Sequence, residues 1–247
     1  MTKSEIQRME EVSSILPRKV AIVMITRNSA KYIGIALQAL ILNTRYPHKI
    51  MIIESGSTDG TPGICDQFAE MCPNIEVHHT PKEGPLKAIN YGMKVAAPYD
   101  VYLTHDDVIH PNLYRRDWLT EFVGSAYKKG SGGATAINGT GISGPDYIDG
   151  FQWIGTWSWY IKRSMIDKIG YFDEKFGNGM GDDIDYSYRF YKTGLTCTKA
   201  DVYVEHHRMT GHQGEDMTEE AEKIKKKNAK YFRKKFGLGE YAVSKEK

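Results

Sequence analysis

Two neighbouring carboxylates, Asp106 and Asp107, directly follow a short apolar run in the segment YLTHDDVIHP. Two carboxylates in contact disfavour each other's ionisation, so the pair needs surroundings that compensate the repulsion. A divalent cation provides such surroundings, because it takes carboxylate oxygens as ligands. A solvated loop provides them as well, and the pair alone leaves both interpretations open.

A second carboxylate pair, Asp182 and Asp183, follows a glycine-rich stretch in FGNGMGDDIDYSYR. The pair stands at the start of a predicted helix, where the helix dipole favours negative charge. A carboxylate held there can take a proton from a substrate hydroxyl, which is general-base chemistry. The alternative is an ordinary helix start, with Asp182 as the cap and Asp183 and Asp185 in the first turn.

A third polar segment, ESGSTDGT, begins at Glu54 after another apolar run. The carboxylate of Glu54 only accepts hydrogen bonds, so it suits the donor groups of a ribose or a base. The alternative is a turn in which Asp59 and Thr61 act as local caps. One more polar cluster, Thr26-Arg27-Asn28, follows the first apolar run.

The first half of the chain alternates apolar runs with helical patterns roughly every 25–30 residues, which is typical of βαβ units on a parallel sheet. Predicted strands cover 19–25, 49–54, 75–79 and 100–104. Predicted helices start with a cap at Asn28 or Ser29, at Thr61-Pro62 and at 86. Ligands of such sheets bind beyond the carboxyl ends of the strands, so the polar clusters are expected to converge on one crevice.

The second half is less regular. Its predicted elements are helix 112–129, strand 132–138, loop 139–156, strand 157–162, helix 164–169, helix 182–193 and strand 197–204. A short helix before Pro17 and a terminal helix over 217–235, with Asp216 and Glu219 as a capping box, complete the prediction.

Composition excludes several classes of function. The net charge of the 247 residues is only +2, so no overall field favours nucleic acid as a partner. The three cysteines, Cys65, Cys72 and Cys197, lack paired spacing, which indicates reduced thiols and a cytoplasmic location. The N-terminus does not resemble a signal peptide, and no apolar run approaches a membrane span, so any membrane contact is expected to be peripheral.

The segments VAIVMITRNSAKYI and IIESGSTDGT together resemble the opening of the family 2 glycosyltransferases, which have the GT-A fold. The resemblance continues in order through PKEGPLKAINYGMKVA, LTHDDVIHP and GDDIDY, over about 20–210. It implies an α/β, single-domain enzyme that moves a sugar from a nucleotide-sugar donor to a hydroxyl with inversion at the anomeric carbon. The family usually carries an Asp where this chain has Glu54.

The resemblance also implies a role for individual residues. Asp183 takes the general-base position, and Asp182 takes the position of the family's preceding Glu. The expected ligands of Mn²⁺ or Mg²⁺ are Asp107, Asp106 and His206, with His207 as the alternative histidine. Residues expected to contact the donor nucleotide are Thr26, Arg27, Asn28, Glu54, Ser57, Lys87 and Asp106. For Lys87, a solvated helix lysine is the alternative.

We predict that the chain has three parts. The first is an N-terminal helical extension, 1–17. The second is a catalytic domain, 18–215, with a nucleotide-binding half, 18–110, and an acceptor half, 111–215. The third is a basic C-terminal helix and tail, 216–247.

Three tryptophans, Trp153, Trp157 and Trp159, lie between the two carboxylate pairs and can stack on the acceptor or donor sugar, although burial in the core is equally compatible with each. Strand alternation predicts that Trp157 and Trp159 share one face.

The lysine-rich terminal helix suits either contact with anionic lipid or simple packing with a solvated basic face, and we favour packing. The acceptor is expected to be a glycan or a lipid-linked molecule.

Two other classes of function remain open at this point. A nucleotidyltransferase of related fold also binds nucleotides through a carboxylate-held metal, but TRNSAKYIG is a poor match to its glycine-rich signature. A non-catalytic nucleotide- or carbohydrate-binding module is the other alternative. The retained base motif argues against the module. For the transferase, a UDP-sugar is the favoured donor.

Overall fold

The structure is a computed structural model that describes residues 18–113, 116–144, 146–177, 179–207 and 219–239. The predicted N-terminal helix, the residue Asp216 of the predicted capping box, and the loop after His207 lie outside these residues. The predicted domain boundaries remain predictions.

The alternation predicted for the first half is confirmed. The elements of this half are β1 (Val20–Thr26), α1 (Ile33–Asn43), β2 (His48–Ser55), α2 (Thr61–Met71), β3 (Ile75–Thr80), α3 (Pro85–Val95), β4 (Asp100–His105) and β5 (Val108–Ile109). Helix α2 has its proline in the first turn, as the sequence predicts. Each strand ends within two residues of its predicted position.

Helix α1 begins later than its predicted cap. Ser29 lies in a turn before the helix, because its carbonyl accepts from the backbone N–H groups of Tyr32 and Ile33 at 2.9 Å each. Asn28 has a left-handed φ of 51°, and its side-chain oxygen accepts from the N–H of Thr58 at 2.8 Å. Both polar residues therefore organise the loop after β1 instead of capping the helix.

The second half contains shorter elements than predicted. They are α4 (Trp118–Ala126), β6 (Ser131–Thr135), β7 (Thr140–Ile142), β8 (Gln152–Ile154), β9 (Ser158–Ile161), α5 (Arg163–Ile169), a 3₁₀ turn (Glu174–Phe176), α6 (Asp182–Tyr191), β10 (Thr196–Lys199), β11 (Glu205–His206) and α7 (Glu219–Lys235). The predicted loop 139–156 is wrong in part, since β7 and β8 pair with each other. The predicted final strand 197–204 is confirmed only at its start, where β10 covers Thr196–Lys199, and β11 begins after its predicted end.

A mixed sheet carries the fold, with the strand order β10-β6-β9-β4-β1-β2-β3 in the described part of the chain. Strand β1 runs parallel to β2 and β4, and β9 runs antiparallel to β4 and β6. The α/β sheet predicted from the sequence is thus confirmed. The parallel strands β1, β2 and β4 end at one edge, which is where ligands of such sheets bind.

Each face of the sheet packs against a hydrophobic core. Along β1, Ile22 and Met24 face a core built with α1 and α4, whereas Ala21 and Val23 face a core built with α3, α5 and α6. A strand buried on both faces has a continuous apolar sequence, which is why the sequence predicts β1.

The terminal helix α7 packs on the second of these cores. Its buried residues include Ala229 and Phe232, and the ring of Phe232 contacts Tyr147 and Tyr188. Its exposed side includes Lys223, Lys225, Lys226, Lys227, Lys230 and Lys234. The predicted packing of this helix is confirmed. None of the described helices is both long and apolar enough to cross a bilayer.

We predict opposite effects from alanine at two helical glycines. A Cβ at Gly92 in α3 would lie 2.4 Å from Val23 Cγ1 and 3.0 Å from Ile53 Cγ1, so Gly92→Ala should lower the free energy of unfolding by about 1–3 kcal/mol through overpacking. A Cβ at Gly63 in α2 meets no atom within 4 Å, so Gly63→Ala should raise the free energy of unfolding by up to ~1 kcal/mol. Urea unfolding of both variants measures the difference. Equal effects would show that α3 does not pack as closely on the sheet as described.

Candidate active site

The first side-chain contact of the crevice joins the ends of β1 and β4. Thr26 Oγ1 donates a hydrogen bond to Asp106 Oδ2 at 2.6 Å, and both side chains are buried. A buried carboxylate without partners is costly, so this bond helps to hold Asp106 in place. The bond brings two predicted donor-site residues together.

The loops after β1 and β2 are also tied to each other. The N–H of Asn28 donates to Ser57 Oγ at 2.9 Å, and the N–H of Ala30 donates to Asp59 Oδ2 at 3.0 Å. Asp59 Oδ1 additionally accepts from Thr61 Oγ1 at 2.6 Å, so the local-cap interpretation of this turn is also correct. Arg27 stands at an exposed position in the first of these loops.

Glu54 is buried at the end of β2 and takes part in a short chain of polar contacts. One oxygen accepts from the N–H of Ser57 at 2.6 Å, and the other lies 3.1 Å from His79 Nδ1, whose Nε2 is 3.0 Å from Asp66. Burial alone raises the pKa of Glu54, but the hydrogen bonds from Ser57 and His79 outweigh burial and lower it. Hydrogen bonds to Glu54 and Asp66 raise the pKa of His79. The carboxylate of Glu54 is therefore ionised and held in one orientation.

Three potential metal ligands meet at the end of β4. One ligand atom each from His105, Asp107 and His206 lies within 4.8 Å of the other two. The short strand β11 brings His206 there, because it pairs antiparallel with β5 and sets His206 opposite Val108. His206 Nε2 is 3.5 Å from Asp107 Oδ1, whereas His207 Nε2 faces Glu205 at 3.3 Å. Of the two candidate histidines, the geometry favours His206.

The cluster changes the predicted ligand set. It contains His105 in place of Asp106, whose Oδ2 instead accepts the hydrogen bond from Thr26. His105 is the last residue of β4, and Asp107 lies in the two-residue turn between β4 and β5. This turn brings one ligand atom of Asp107 within 4.8 Å of one of His105.

The donor chemistry of this cluster fits a divalent ion of intermediate softness. Mg²⁺ is usually held by one or two carboxylates, phosphate and water, while two imidazoles suit transition ions better. Burial lowers the pKa of His105 to about 4, so the imidazole is neutral near pH 7 and keeps a lone pair for a metal. Two imidazole nitrogens and one carboxylate thus fit Mn²⁺ better than Mg²⁺.

Two neighbours fix the orientation of the histidines. Thr156 Oγ1 lies 3.2 Å from His105 Nε2, and the indole of Trp157 stacks on the His206 ring at 4.7 Å with an interplanar angle of 28°. Partners of this kind set the orientation and the tautomer of a metal-binding imidazole.

The second carboxylate pair begins α6. Asp182 is buried and Asp183 is partly exposed, and Asp183 Oδ1 accepts from the N–H of Ile184 at 2.8 Å. The cap is Gly181 and not Asp182, with φ at 115°. A Cβ at Gly181 would lie 2.1 Å from Tyr147 Oη, so only glycine fits there.

The surroundings of this pair favour bound protons. Burial raises the pKa of Asp183, and the neighbouring charge of Asp182 raises it further. Burial also raises the pKa of Asp182, with a smaller contribution from Asp185. A carboxylate with a raised pKa is a better proton acceptor near neutral pH than an ordinary aspartate.

Lys87 stands at the edge of the crevice. Lys87 Nζ lies 3.4 Å from Glu83 Oε1, just before α3, and the side chain is about half exposed, as expected for a solvated helix lysine. It also lines a cavity of about 300 Å³ with Ser55 and His79, beside the end of β2. Its expected contact with phosphate stays a prediction.

The three tryptophans occupy different surroundings. Trp159 is fully buried against Tyr186 and Phe190, so the prediction that it lines an acceptor site is wrong. The prediction that Trp157 and Trp159 share a face is also wrong, because Trp157 precedes β9 in a turn and packs on the opposite core. Trp153 is partly exposed and donates to the carbonyl of Ile142 at 3.2 Å.

Sequence reasoning missed two residues of this crevice. His105 carried a usable signal, since it stands directly before Asp106-Asp107 where the apolar run ends. His79 had no local signal, because only the pairing of β2 with β3 places it opposite Glu54.

The model of the glycosyl transferase family 2 matches residues 21–177, which is more than half of the chain. The chain belongs to this family. It is 29% identical over 97 residues to the uncharacterized glycosyltransferase YibD of Escherichia coli K12, which covers 39% of the chain and 28% of that relative. The chain spans less than a third of the length of the curated relatives it matches.

Solved structures agree with the family in fold. A mannosyltransferase, PcManGT from Pyrobaculum calidifontis, in complex with GDP-Man and Mn²⁺, has a TM-score of 0.67 at 20% identity and covers 92% of this chain and 67% of its own. S. aureus TarS 1-349 in complex with UDP-GlcNAc has a TM-score of 0.54 at 18% identity, over 87% of this chain and 73% of its own. The predicted GT-A fold is thereby confirmed.

We predict that Asp183→Asn stabilises the protein at alkaline pH. Because the folded pKa lies above the unfolded value, the folded state binds more protons, and stability is lost as pH rises from about 4 through the folded pKa. Asparagine cannot ionise, so the melting temperature of the variant minus that of the wild type should grow from pH 5 to pH 8.5. The exposed Asp167→Asn is the control for removing one carboxyl group from the surface. A flat profile for Asp183→Asn would contradict the burial of this carboxyl group.

Proposed function

We propose that this protein is a metal-dependent, inverting glycosyltransferase that moves a sugar from a nucleotide-sugar donor to a hydroxyl of a glycan or lipid-linked acceptor. The observation that carries the proposal is the cluster His105–Asp107–His206 at the carboxyl end of β4, beside the buried Thr26–Asp106 pair. Family 2 membership and the fold of the two solved relatives support it.

The loops after β1 and β2 suit the nucleoside of the donor. The ionised carboxylate of Glu54 accepts hydrogen bonds, and Asn28 and Ser57 already hold the two loops together at 2.9 Å. The two solved relatives were determined with a guanine and a uracil donor, respectively. We favour a UDP-sugar for this chain.

The metal would be held by His105, Asp107 and His206, and we propose Mn²⁺ before Mg²⁺. When bound, a divalent ion neutralises the charge that develops on the leaving diphosphate. The protein's own contribution is to hold two imidazoles and one carboxylate in place, with Thr156 against the His105 ring and Trp157 against the His206 ring.

Asp183 is proposed as the base. The acceptor oxygen forms its bond to the anomeric carbon while the bond from that carbon to the phosphate oxygen breaks, and Asp183 takes the proton of the acceptor hydroxyl. Asp182 is buried beside it and raises its pKa, which favours this transfer. One displacement of this kind inverts the configuration of the anomeric carbon.

The acceptor side is less defined. Trp157 lies against the candidate metal ligand His206, and Trp153 is partly exposed, so both remain proposed sugar contacts. Helix α7 has its apolar side packed in the core, so a peripheral contact with an anionic membrane would be electrostatic and made by its exposed lysines. This contact suits an enzyme of the cytoplasmic face that uses a lipid-linked acceptor.

We predict a metal-dependent thermal shift with the correct nucleotide. UDP, GDP, dTDP and CMP are compared with and without Mn²⁺, and a ligand at ~100 times its dissociation constant adds about 2.7 kcal/mol of stability. UDP with Mn²⁺ should give the largest shift. His105→Ala should lose the Mn²⁺-dependent part of the thermal shift, because one ligand of the cluster is removed. The buried His110→Gln is the control for general effects of removing a histidine. A thermal shift with UDP that is the same in EDTA as in Mn²⁺ would argue against a metal-bridged diphosphate.

We predict that Asp183→Asn abolishes turnover and spares nucleotide binding. Loss of a general base typically costs about 10²–10⁴-fold in rate. The release of nucleotide from UDP-GlcNAc and GDP-mannose, with water as the acceptor, measures turnover while the thermal shift measures binding. Wild-type rates in the variant would remove Asp183 as the base. Binding without turnover in the wild-type protein would favour a non-catalytic module.

A further inference from the structure

Helix α7 holds the loop that carries the proposed base. We define the base loop as residues 176–181, of which 178 lies outside the described residues. The side-chain nitrogen of Asn228 in α7 lies 3.1 Å from the carbonyl oxygen of Phe176, 3.0 Å from that of Gly179 and 3.0 Å from that of Met180. Asn228 is buried, so its two N–H groups are shared among three carbonyls.

A second residue of α7 joins the two sides of this loop. Lys235 Nζ lies 2.9 Å from Asp173 Oδ2, before the loop, and 2.6 Å from Asp185 Oδ1, in the first turn of α6 after it. Tyr231 of the same helix donates to Asp173 at 2.7 Å. Asp185 is fully buried, so its contacts with α7 and with Arg189 are protected from solvent.

The backbone of the base loop depends on such support. Gly179, Met180 and Gly181 have φ values of 106°, 62° and 115°. Met180 is not a glycine, and a left-handed conformation persists at such a residue only when the surroundings enforce it. Its carbonyl accepts from Asn228 and also from Tyr147 Oη at 3.0 Å. The direction in which α6 begins, and hence the position of Asp183, follows from these hydrogen bonds.

We infer that Asn228 is a positioning residue for the transfer reaction, acting through the base loop on Asp183. The inference rests on the proposed function, because it takes Asp183 as the base. It assigns a role in turnover to α7, which lies outside the segment 21–177 matched by the family model. Buried carbonyls that lose their donor shift to find another, and a misplacement of about 1 Å of a reacting group can cost roughly 100-fold in rate.

The test uses Asn228→Asp and Asn228→Leu in the full chain. Asp keeps the shape but, when ionised, presents oxygens to the three carbonyls, while Leu removes the donors at similar volume. Both should lower kcat of donor hydrolysis by about 10- to 100-fold. The donor KM and the thermal shift with UDP and Mn²⁺ should be unchanged, since the crevice of β1, β2 and β4 is not touched. The exposed neighbour Lys227→Ala is the matched control and should keep wild-type kcat.

A purely structural role would give a different result. If kcat at a temperature well below the melting transition is unchanged while the melting temperature falls, the inference is wrong. If the Asn228 variants do not fold, Lys235→Gln decides in their place: a reduced kcat with unchanged KM supports positioning by α7, and an unchanged kcat overturns it. Loss of turnover in Asp183→Asn together with normal kcat in the Asn228 variants would overturn this inference alone. Normal turnover in Asp183→Asn would overturn the proposed base first.

Discussion

The register between three parallel strands decides where the candidate site lies. Strand β1 sets Thr26 opposite Glu54 of β2 and Ile25 opposite His105 of β4. Apolar residues buried on both faces of β1 hold this register, and the polar residues simply follow at the strand ends. A shift by one residue would separate Thr26 from Asp106 and turn each side chain to the other face. The crevice is therefore a consequence of core packing.

The difference between local sequence signals and contacts made only in the folded chain explains what could be predicted from the sequence. The first half was predictable because long apolar runs and helix starts such as Thr61-Pro62 are local signals. The second half was not, because β11 is two residues long and exists only through its pairing with β5. Strand alternation failed at Trp157 because this residue lies in a turn before β9. His105 could have been proposed from its place directly before Asp106-Asp107 at the end of the apolar run.

The two carboxylate pairs are accommodated in different ways. Asp106 accepts from Thr26 and Asp107 stands near two imidazoles, so both have neighbours that suit an ionised group. Asp182 and Asp183 lie side by side at the start of α6, where their surroundings favour protonation. Such a pair lowers folding stability near neutral pH, and the proton transfer proposed for Asp183 would use the same raised pKa. The contacts of α7 with Asp173 and Asp185 offset part of this cost on either side of the pair.

The metal cluster draws its ligands from positions far apart in the chain. His105 is the last residue of a central strand and Asp107 lies in the turn after it, whereas His206 arrives about a hundred positions later on a strand of two residues. During synthesis, the sheet of β1 to β4 can form while the cluster still lacks one imidazole. Tight capture of an ion at the proposed site would therefore come late, after the chain through β11 has been made. Metal affinity in this protein would report on the completion of folding as well as on the chemistry of the site.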